Sequence, residues 1–405
     1  MKKEKRSFLN KIFKIRDSVS TNTSLKIVDG FRAFFSSVSS DITLNDSVVI
    51  CIDTIAKQCA KFEPRHYKNI NGQKIFINGD INYLLSNQPN PIMTTYDFIY
   101  KIISLLYFQN NVFIFIDKDK QGFITGFYPV NYSNAEFLED ENGYLYIKFW
   151  LLNGKSYTLP YNDLIHLRRF YNNDDLLGSS NNILVPALQT QLTADEGIEN
   201  AIKVSNSLRG ILKFTQNLKP HDIEKNKKDF VESFIDNNES GIAAIDNKTE
   251  FKELNIKPIT LDNDQLKHVN QRVLNYFNLN ESIISGDFTS QQWNAFYETV
   301  LEPISIYLEQ SFKMKIFTKN AIKDGNSISF SVNRVQYASV DEKVKLVKEI
   351  GPMGILTVDQ CLTILDLPPI GGEEGKKRMQ SLNYINGDIA DFYQLNKMKG
   401  EKNND

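Results

Sequence analysis

The chain has 405 residues and a mass of 46.6 kDa, enough for two or three domains. Hydrophobic residues make up 41% and charged residues 24%, which favours large buried cores and excludes global disorder. A net charge of -2 excludes a basic protein that coats nucleic acid with its whole surface. The three scattered cysteines exclude a disulfide framework or a thiolate zinc cluster and predict buried thiols in a reducing compartment: Cys51, Cys59 and Cys361.

The first 24 residues are predicted to form a basic N-terminal arm. Lys11 and Lys14 interrupt its apolar residues, which excludes the apolar core of a signal peptide. The arm is interpreted either as a contact with nucleic acid or a partner, or as a loosely docked terminal helix. The most apolar stretch, 99–116, contains Lys101 and several amides, so we expect no membrane span and a soluble product made in the cytoplasm.

The first large block of the chain has a mixed pattern of helices and strands. Apolar spacing predicts a helix over 47–62, and Asn90-Pro91 opens a second helix that Thr95 can cap. Asn153-Gly154 is a strong hairpin signal. The predicted strands form a sheet made largely of hairpins: 112–116, 123–130, 144–151, 156–159 and 165–170.

Two long helices follow, with a small module between them. The first is predicted over 183–208, with Pro186 in its first turn, where proline is tolerated. The second is predicted over 262–278, begun by a capping box of Asp262 with Gln265. The residues between them are interpreted as an inserted α/β module, with strands over 211–215, 241–245 and 251–254 and a helix over 222–235.

A third long helix is predicted from Thr289 to about Phe317, begun by a capping box of Thr289 with Gln292. Pro303 lies inside this helix, where its ring and missing N–H predict a kink. The rest of the chain is predicted to contain a strand over 328–335, helices that begin at Ser339 and Thr357, and a disordered polar tail beyond Tyr393. The predicted fold class is α+β.

The sequence lacks common enzyme motifs, including GxGxxG, HExxH and GxSxG. Gly371–Lys377 has the wrong spacing for a phosphate loop and is interpreted as a flexible linker. Four scattered histidines predict no metal site, and we expect no cofactor. Asp117 and Asp119 alternate as magnesium ligands would, but their neighbours favour a hairpin turn. Three glutamates are interpreted as solvated or interface charges, with acid–base catalysis as the alternative: Glu298, Glu302 and Glu309.

The order of these elements points to an architecture. Two long helices joined by a module at their far end make a stalk with a tip. The apolar stripe of such a stalk must be covered by its own partner helix or by neighbouring copies. The alternative interpretation is an ordinary helical core with a β insertion.

Four landmarks occur in order between about residues 90 and 375. The first is NPIMTTYDF (90–98), before a helix that ends in LYFQNN (106–111), and the second is LGSS (177–180). The third is FNLN (277–280), followed by Gly286-Asp287, Gln291-Gln292, Phe296, Leu301-Glu302-Pro303 and Glu309. The fourth is GILT (354–357), followed by Leu367-Pro368-Pro369 and Gly371-Gly372. In this order they resemble the portal proteins of tailed bacteriophages, in the HK97-type family. The chain departs from that pattern in a short stretch after Gly286-Asp287 and in Asp359-Gln360, which replaces Asn-Glu.

The resemblance implies a ring, typically of twelve subunits, at one vertex of a capsid. It also implies the following parts: a wing (25–182), a first stem helix (183–208), a clip (209–258), a second stem helix (259–283), a tunnel loop (284–294), a kinked tunnel helix that completes the wing (295–346), a crown (347–393) and a disordered tail (394–405).

The implied role is structural and not enzymatic. Such a ring conducts double-stranded DNA into the head during packaging and out during ejection, without sequence preference. The implied partners are the large terminase subunit and then head–tail connector proteins, both on the clip, together with the major capsid protein and scaffold. The protein would reside in the virion. A low net charge suits DNA that must slide, because strong phosphate contacts would hold it.

The resemblance also implies roles for individual residues. The residues expected near the constriction are Phe288, Gln291, Gln292 and Asn294. The residues expected to form basic rings along the bore, or else to face solvent or neighbouring subunits, are Lys203, Arg209, Lys213 and Lys267. The residues expected to dock the packaging motor on the clip are Lys225, Lys227 and Lys228.

A second hypothesis is a soluble nucleic-acid-processing enzyme whose acidic residues converge only in three dimensions. It predicts clustered carboxylates in a concave site and metal-dependent activity on DNA. A third keeps the portal fold but places it in a domesticated prophage or gene-transfer particle, which the sequence does not distinguish from a replicating phage.

Overall fold

The computed structural model describes residues 26–27, 45–151, 154–171, 175–179, 181, 184–205, 210–214, 219–231, 249–253, 263–331 and 340–380. Over these residues the protein mixes helices and sheets, which confirms the predicted fold class at that level. Within the same ranges, no helix is both long enough and apolar enough to cross a bilayer.

The described helices include both long helices that flank the predicted module. In chain order they are α1 (Asp46–Cys59), α2 (Asp80–Ser86), α3 (Thr95–Gln109), α4 (Val185–Ser205), α5 (Pro220–Val231), α6 (Asn263–Tyr276), α7 (Glu281–Ser285), α8 (Ser290–Phe296), α9 (Glu302–Ile316), α10 (Lys319–Lys323), α11 (Val340–Ile350), α12 (Val358–Ile364) and α13 (Gly372–Lys376). A π-helical turn, Tyr297–Leu301, connects α8 to α9.

The described strands pair in several small sheets. In chain order they are β1 (Lys26–Ile27), β2 (Glu63–Ile70), β3 (Gln73–Phe76), β4 (Asn111–Lys118), β5 (Ile124–Pro129), β6 (Tyr132–Glu139), β7 (Leu145–Leu151), β8 (Ser156–Pro160), β9 (Leu164–Arg168), β10 (Gly210–Phe214), β11 (Thr249–Glu253), β12 (Asn326–Ser331), β13 (Met353–Thr357) and β14 (Arg378–Gln380). Their order is β1-β6-β7-β8, β12-β2-β3, β5-β4-β9, β10-β11 and β13-β14.

The chain divides into two compact units. The first, unit 1, comprises residues 1–56, 101–115 and 129–287. The second, unit 2, comprises residues 57–100, 116–128 and 288–405.

Unit 1 has an aromatic core between its strands. Phe113 on β4 lies fully buried and stacks on the His166 ring, with centroids 4.1 Å apart. Three further rings lie within 6.4 Å of the Phe113 ring: Tyr132, Phe137 and Phe149. Rings of this size contribute much of the buried apolar area in a core.

Unit 2 also has an aromatic core, and it joins a sheet to helix α9. Strand β12 pairs with β2, placing Ile328 opposite His66. The Phe312 ring, on α9, is fully buried and lies 5.1 Å from that of Phe330 on β12. It also contacts the rings of Phe98 and Phe127.

Several expectations about local structure need correction. The hairpins predicted in the first block are confirmed, since β5 neighbours β4 and β7 pairs with β8. The single sheet predicted for them is wrong, because β4 also pairs with β9 and these hairpins lie in separate sheets. Helix α3 is capped by Thr94 and not by Thr95: the Thr94 hydroxyl accepts from the Asp97 amide at 3.2 Å. The Thr95 hydroxyl instead donates to the Leu85 carbonyl at 2.8 Å.

The prediction of a flexible linker at Gly371–Lys377 is also wrong. Most of it forms helix α13. The Asp359 carboxylate accepts hydrogen bonds from the amides of Ile370 and Gly371, at 2.8 and 3.2 Å. These bonds fix the entry to α13, so a carboxylate eleven and twelve residues earlier orders a glycine-rich segment.

The capping boxes at Thr289 with Gln292 and at Thr357 with Gln360 are confirmed. Cys51 and Cys59 are buried, as expected, whereas Cys361 is only half-buried. Other expectations lie outside the described residues: the arm (1–24), the strand 241–245, the capping residues Asp262 and Ser339, and the polar tail beyond 393.

A buried asparagine cluster in unit 1 joins the end of α3 to the segment that leads into α4. Asn111 holds both backbone groups of Gly178: its Oδ1 accepts from the Gly178 amide at 2.8 Å, and its Nδ2 donates to the Gly178 carbonyl at 3.0 Å. Asn110 ends α3 in the left-handed region, with φ 55°. Its Nδ2 donates to Ser179 O at 2.7 Å and to Asn181 Oδ1 at 2.6 Å.

Asn181 completes this cluster. Its Nδ2 donates to the carbonyls of Tyr107 and Phe108, at 3.2 and 2.8 Å, which are among the last acceptors of α3. Its Oδ1 accepts from the Tyr276 hydroxyl at 2.5 Å, and Tyr276 is the last residue of α6. The two sequence landmarks around 110 and 178 are therefore the two halves of one hydrogen-bonded joint.

The Phe312 side chain is predicted to be essential for the stability of unit 2. Phe312→Ala removes a fully buried ring that contacts three others and should lower the free energy of unfolding by about 3–5 kcal/mol. Urea denaturation followed by tryptophan fluorescence measures this loss. Met314→Ala, on the same helix at a 75% exposed position, should change the unfolding free energy by less than about 0.5 kcal/mol; equal losses would contradict the assigned core.

Replacing glycine by alanine is predicted to have opposite effects on stability at Gly178 and at Gly197. A Cβ on Gly178 would lie 2.2 Å from Arg169 O and 2.7 Å from Asn110 O, so Gly178→Ala should destabilise unit 1 by about 3 kcal/mol. Gly197 lies within α4, and its Cβ would meet nothing within 4 Å, so Gly197→Ala should stabilise by about 0.5–1 kcal/mol. Thermal unfolding of both variants is the test, and a Gly178→Ala protein as stable as the parent would refute the joint.

Candidate functional site

The helices α4 and α6 pack against each other in unit 1 and form the core of the candidate site. Small buried residues of α4 recur every seven residues: Ala187, Ala194 and Ala201. Small side chains at this interval allow two helix backbones to approach closely. The buried apolar residues are Ala187, Leu188, Ala194 and Ala201 on α4, and Val269 and Val273 on α6.

A buried glutamine connects three helices at one level of this pair. Gln191 on α4 donates through Nε2 to Ser47 Oγ at 2.8 Å and to Asn270 Oδ1 at 3.3 Å. Its Oε1 accepts from Asn45 Nδ2 at 3.4 Å. Because a buried amide is costly unless bonded, these partners fix the register of α4 against α6 and the start of α1. Sequence reasoning missed Gln191, since a lone polar residue in a helix gives no sign of burial.

The end of α6 lies against a cation held by aromatic rings. The Arg169 guanidinium carbon is 3.8 Å from the Tyr107 ring centroid, 4.8 Å from Phe170 and 5.7 Å from Tyr276. Burial lowers the pKa of Arg169, partly offset by the two tyrosines. Burial also raises the pKa of Tyr276, against the opposing effect of Arg169, so the phenol stays protonated at neutral pH. The cation–π contacts thus stabilise the charge of Arg169.

The predicted bore lysines lie on separate elements of unit 1. Lys203 belongs to α4, and Arg209 lies outside the described residues. Lys213 is exposed on β10, opposite Glu250 in the β10–β11 register. Lys267 is exposed on α6 and lines a cavity of about 310 Å³ with Asn270 and Glu281.

The module between α4 and α6 presents its helix to solvent. Residues 219–229 of this segment are all exposed, which includes most of α5. Lys225 and Lys228 are three residues apart and share one helix face, whereas Lys227 lies on another. Helices normally bury one face, so residues 219–229 form an unusually exposed segment within the described part of the chain.

The loop before α8 is built by local capping. Asn280 caps α7, and Gly286 ends it in the left-handed region with φ 80°. Thr289 and Gln292 cap α8 reciprocally, and the Gln292 amide oxygen accepts from the Thr289 amide at 2.9 Å. The loop is therefore shaped by its own hydrogen bonds and not only by distant contacts.

The four predicted constriction residues differ in their surroundings. Phe288 stacks on the Trp293 ring, with centroids 5.2 Å apart, and stays 40% exposed. Gln292 is half-buried and engaged in the cap, whereas Gln291 and Asn294 are exposed on α8. Two of the four are thus committed to local structure, and two present amides to the surface.

Pro303 is the second residue of α9, directly after the π-helical turn Tyr297–Leu301. A π turn inserts one extra residue into a helix, which relieves the clash between a proline ring and the carbonyl four residues earlier. The expected kink at Pro303 stays a prediction.

Three of the five acidic residues considered as metal ligands or acid–base catalysts have structural partners: Asp117, Asp119 and Glu309. The Asp119 carboxylate accepts from the amides of Gln121 and Phe123, at 2.9 and 2.8 Å, and so closes the β4–β5 turn. Asp117 accepts from the Thr125 hydroxyl at 2.8 Å. Glu309 Oε1 accepts from the Phe330 amide at 2.9 Å and so ties α9 to β12. The hairpin interpretation of Asp117 and Asp119 is confirmed.

Comparison with solved structures finds a similar fold in chains of gene transfer agent particles. The chain is similar to one from the virion of a native gene transfer agent particle, with a TM-score of 0.62, 15% identity, and coverage of 85% of this chain and 96% of that one. It is also similar to a chain from the neck of a native gene transfer agent particle computed with C12 symmetry, with a TM-score of 0.59, 14% identity, and coverage of 81% and 92%. At these identities the likeness establishes the fold.

Comparison with curated proteins finds the "Probable portal protein" of Lactococcus phage p2 and that of Lactococcus phage SK1. Each is 27% identical over 152 residues, which is 36% of this chain. The match spans 40% of the length of these relatives. The family model described as "Phage portal protein" matches residues 47–366, which include α4, α6, the loop at 285–289 and Pro303. The chain therefore belongs to the phage portal protein family.

Proposed function

We propose that the protein forms a ring of identical subunits at one vertex of a phage capsid, through which double-stranded DNA enters and leaves the head. Membership of the portal family supports this role. The similar neck structure computed with C12 symmetry supports twelve subunits. The subunit would reside in the virion after synthesis in the host cell, and its role is structural and not catalytic.

The observation that carries the proposal is the α4–α6 pair with a small module between its members. In a ring, such a pair supplies one wall segment of a channel, and the module projects from its end. We assign α4 and α6 to the stem (183–208 and 259–283) and the β10–α5–β11 module to the clip (209–258). The remaining assignments are the wing (25–182), the tunnel loop (284–294), the tunnel helix (295–346) and the crown (347–393).

Exposed apolar side chains on α4 support packing between neighbouring subunits. Leu192 and Ile202 are 46% and 56% exposed, although Ala187, Leu188, Ala194 and Ala201 on the same helix are buried. They lie on adjoining faces of α4, ten residues apart. Such residues are stabilised when a neighbouring stem covers them, as a heterologous interface in a closed ring would do.

The charge of the chain suits a conduit. Each subunit carries a net charge of -2, so the ring would not bind DNA as a uniformly basic groove does. We propose that Gln291 and Asn294 contact the DNA backbone weakly, while Phe288 and Trp293 stiffen the loop that presents them. Lys203, Arg209, Lys213 and Lys267 would add isolated rings of positive charge.

The exposed helix α5 is the proposed docking site for other proteins of the particle. Its lysines face the large terminase subunit during packaging and head–tail connector proteins afterwards. The major capsid protein and scaffold would contact the outside of the ring. A gene-transfer particle would use the same surfaces. The alternative enzyme hypothesis is less favoured, because the carboxylates of Asp117 and Asp119, two candidate magnesium ligands, are hydrogen-bonded within a hairpin.

The purified protein is predicted to form a ring with a central hole. Electron microscopy with native mass spectrometry should give a mass near twelve times 46.6 kDa. Leu192→Asp should shift the population to smaller species, because it places a charge in the proposed stem interface, while Leu367→Asp, at a similarly exposed site outside the stem, should not. A closed dimer, or equal assembly of both variants, would contradict the proposed ring.

Charge reversal on α5 is predicted to weaken docking of the packaging motor. Lys225, Lys227 and Lys228 changed together to Glu should lower the affinity for the large terminase subunit at least tenfold, measured by pull-down and calorimetry at fixed salt. The matched control reverses three exposed lysines elsewhere: Lys120, Lys319 and Lys323. Equal affinity of the two triple variants would refute the clip assignment.

A further inference from the structure

A polar cavity in unit 2 lies between the β2–β3 hairpin and two helices. Its volume is about 510 Å³, within the range of cavities that hold small organic ligands. The described residues that line it fall between 60 and 96, in one continuous described stretch of the chain and within unit 2. Residues 60–78, with the hairpin, form one side, and α2 with the first turn of α3 forms the other.

The hairpin side of the cavity carries two cations, Lys61 and Arg65. Arg65 Nη2 lies 3.0 Å from Glu63 Oε2, and its guanidinium lies over the Phe76 ring, 5.6 Å from the centroid. A guanidinium has five N–H donors, so one carboxylate oxygen occupies only part of its capacity. Lys61 Nζ donates to Gln58 Oε1 at 2.8 Å, and burial lowers the pKa of Lys61. An anion in the cavity would accept charge-assisted hydrogen bonds and stabilise both positive charges.

Three neutral polar side chains of the cavity have defined hydrogen-bonding roles. Asn82 Oδ1 accepts from the His66 amide at 3.0 Å, so its Nδ2 is the end that can donate to a ligand. Ser86 Oγ and Thr95 Oγ1 each donate to a backbone carbonyl, at 2.6 and 2.8 Å. Because a hydroxyl has one proton, these two oxygens can accept from a ligand but not donate to it.

Two aromatic rings complete the lining. Phe76 and Tyr96 are 56% and 46% exposed. Exposed aromatic faces stack on planar groups such as nucleobases. The cavity thus combines donors for an anion, acceptors for an N–H group and an aromatic surface for a planar ring.

We propose that this cavity binds a nucleotide whose base carries an exocyclic amine. The phosphate oxygens accept hydrogen bonds from Arg65, Lys61 and the Asn82 amide. The base stacks on the Tyr96 ring, and its amine donates to the hydroxyl oxygen of Thr95 or Ser86. Adenine, cytosine and guanine carry such an amine, whereas uracil and thymine do not.

A nucleotide fits these observations better than an acidic peptide does. Aspartate and glutamate side chains supply an anion, but neither carries a planar ring. A nucleotide carries the anion, the ring and the N–H donor in one molecule of a size that suits the cavity. The inference needs neither the ring of subunits nor the passage of duplex DNA, so it stands or falls separately from the proposed function.

Calorimetry of the full-length protein with adenosine 5′-monophosphate (AMP) tests the proposal. Arg65→Gln should weaken binding about tenfold or more, because a guanidinium binds phosphate through two parallel N–H donors. Lys74→Gln is the matched control and should bind AMP within about twofold of the parent, because a charge outside the cavity is screened by salt. Lys74 also lies over an aromatic ring of the hairpin, 4.8 Å from the Tyr67 centroid, but is not among the residues that line the cavity.

A second pair of variants tests the aromatic contact. Tyr96→Ala should weaken AMP binding about fivefold or more through the loss of stacking. Tyr83→Ala, at a 56% exposed position of α2 that is not among the lining residues, should change it by less than about twofold. Thermal unfolding checks that all four variants fold. Equal losses within either pair would overturn the assignment.

Comparison of ligands tests each part of the nucleotide. Adenosine lacks the phosphate, inorganic phosphate lacks the base, and uridine 5′-monophosphate lacks the amine, so each should bind about tenfold or more weakly than AMP. A 5′-phosphorylated oligoadenylate that binds more tightly than AMP would support the end of a single strand as the ligand, and one that binds more weakly would support a free nucleotide. A failure of AMP to bind at millimolar concentration, equal affinity for uridine 5′-monophosphate, or tighter binding of a glutamate-rich peptide overturns the proposal.

Discussion

The buried asparagine cluster is the constraint on which the arrangement of unit 1 depends. Asn110, Asn111 and Asn181 satisfy the last carbonyls of α3, both backbone groups of Gly178 and the hydroxyl of Tyr276. Buried polar groups must be bonded, so each asparagine permits one arrangement of its neighbours. The start of α4 and the end of α6 are fixed by this joint. Because Gly178 leaves no room for a Cβ, the joint also explains a glycine at that position.

The helix pair and the outer surfaces serve different purposes. Between α4 and α6, alanines and Gln191 give a closely packed, register-specific contact. On the outside, Leu192, Ile202 and the whole of the exposed part of α5 have no such cover within the described chain. A protein that acts as a ring needs both, because each subunit must fold alone and then bury further surface against copies and partners. The family and the surface thus point to the same assembly.

Local signals in the sequence predicted local structure well. The capping boxes at Thr289 and Thr357 and the turn after Asp117 depend on residues within five positions of one another, and the structure confirms them. The Asn71-Gly72 turn between β2 and β3, with both φ values positive, was equally readable and was missed. The expectations that failed involve distant partners. Asp359 accepts hydrogen bonds from the amides of Ile370 and Gly371, and β12 joins β2 across more than 250 residues.

The sequence by itself determined the mixed fold class, most of the helices and, through four ordered landmarks, the portal family. These depend on composition, short-range periodicity and residue order, which need no coordinates. The tertiary structure alone decided that the landmarks around 110 and 178 bond to each other and that Gln191 is buried. Each of these is a contact between segments far apart in the chain, and burial and hydrogen bonding at such distances are set by packing, not by local propensity.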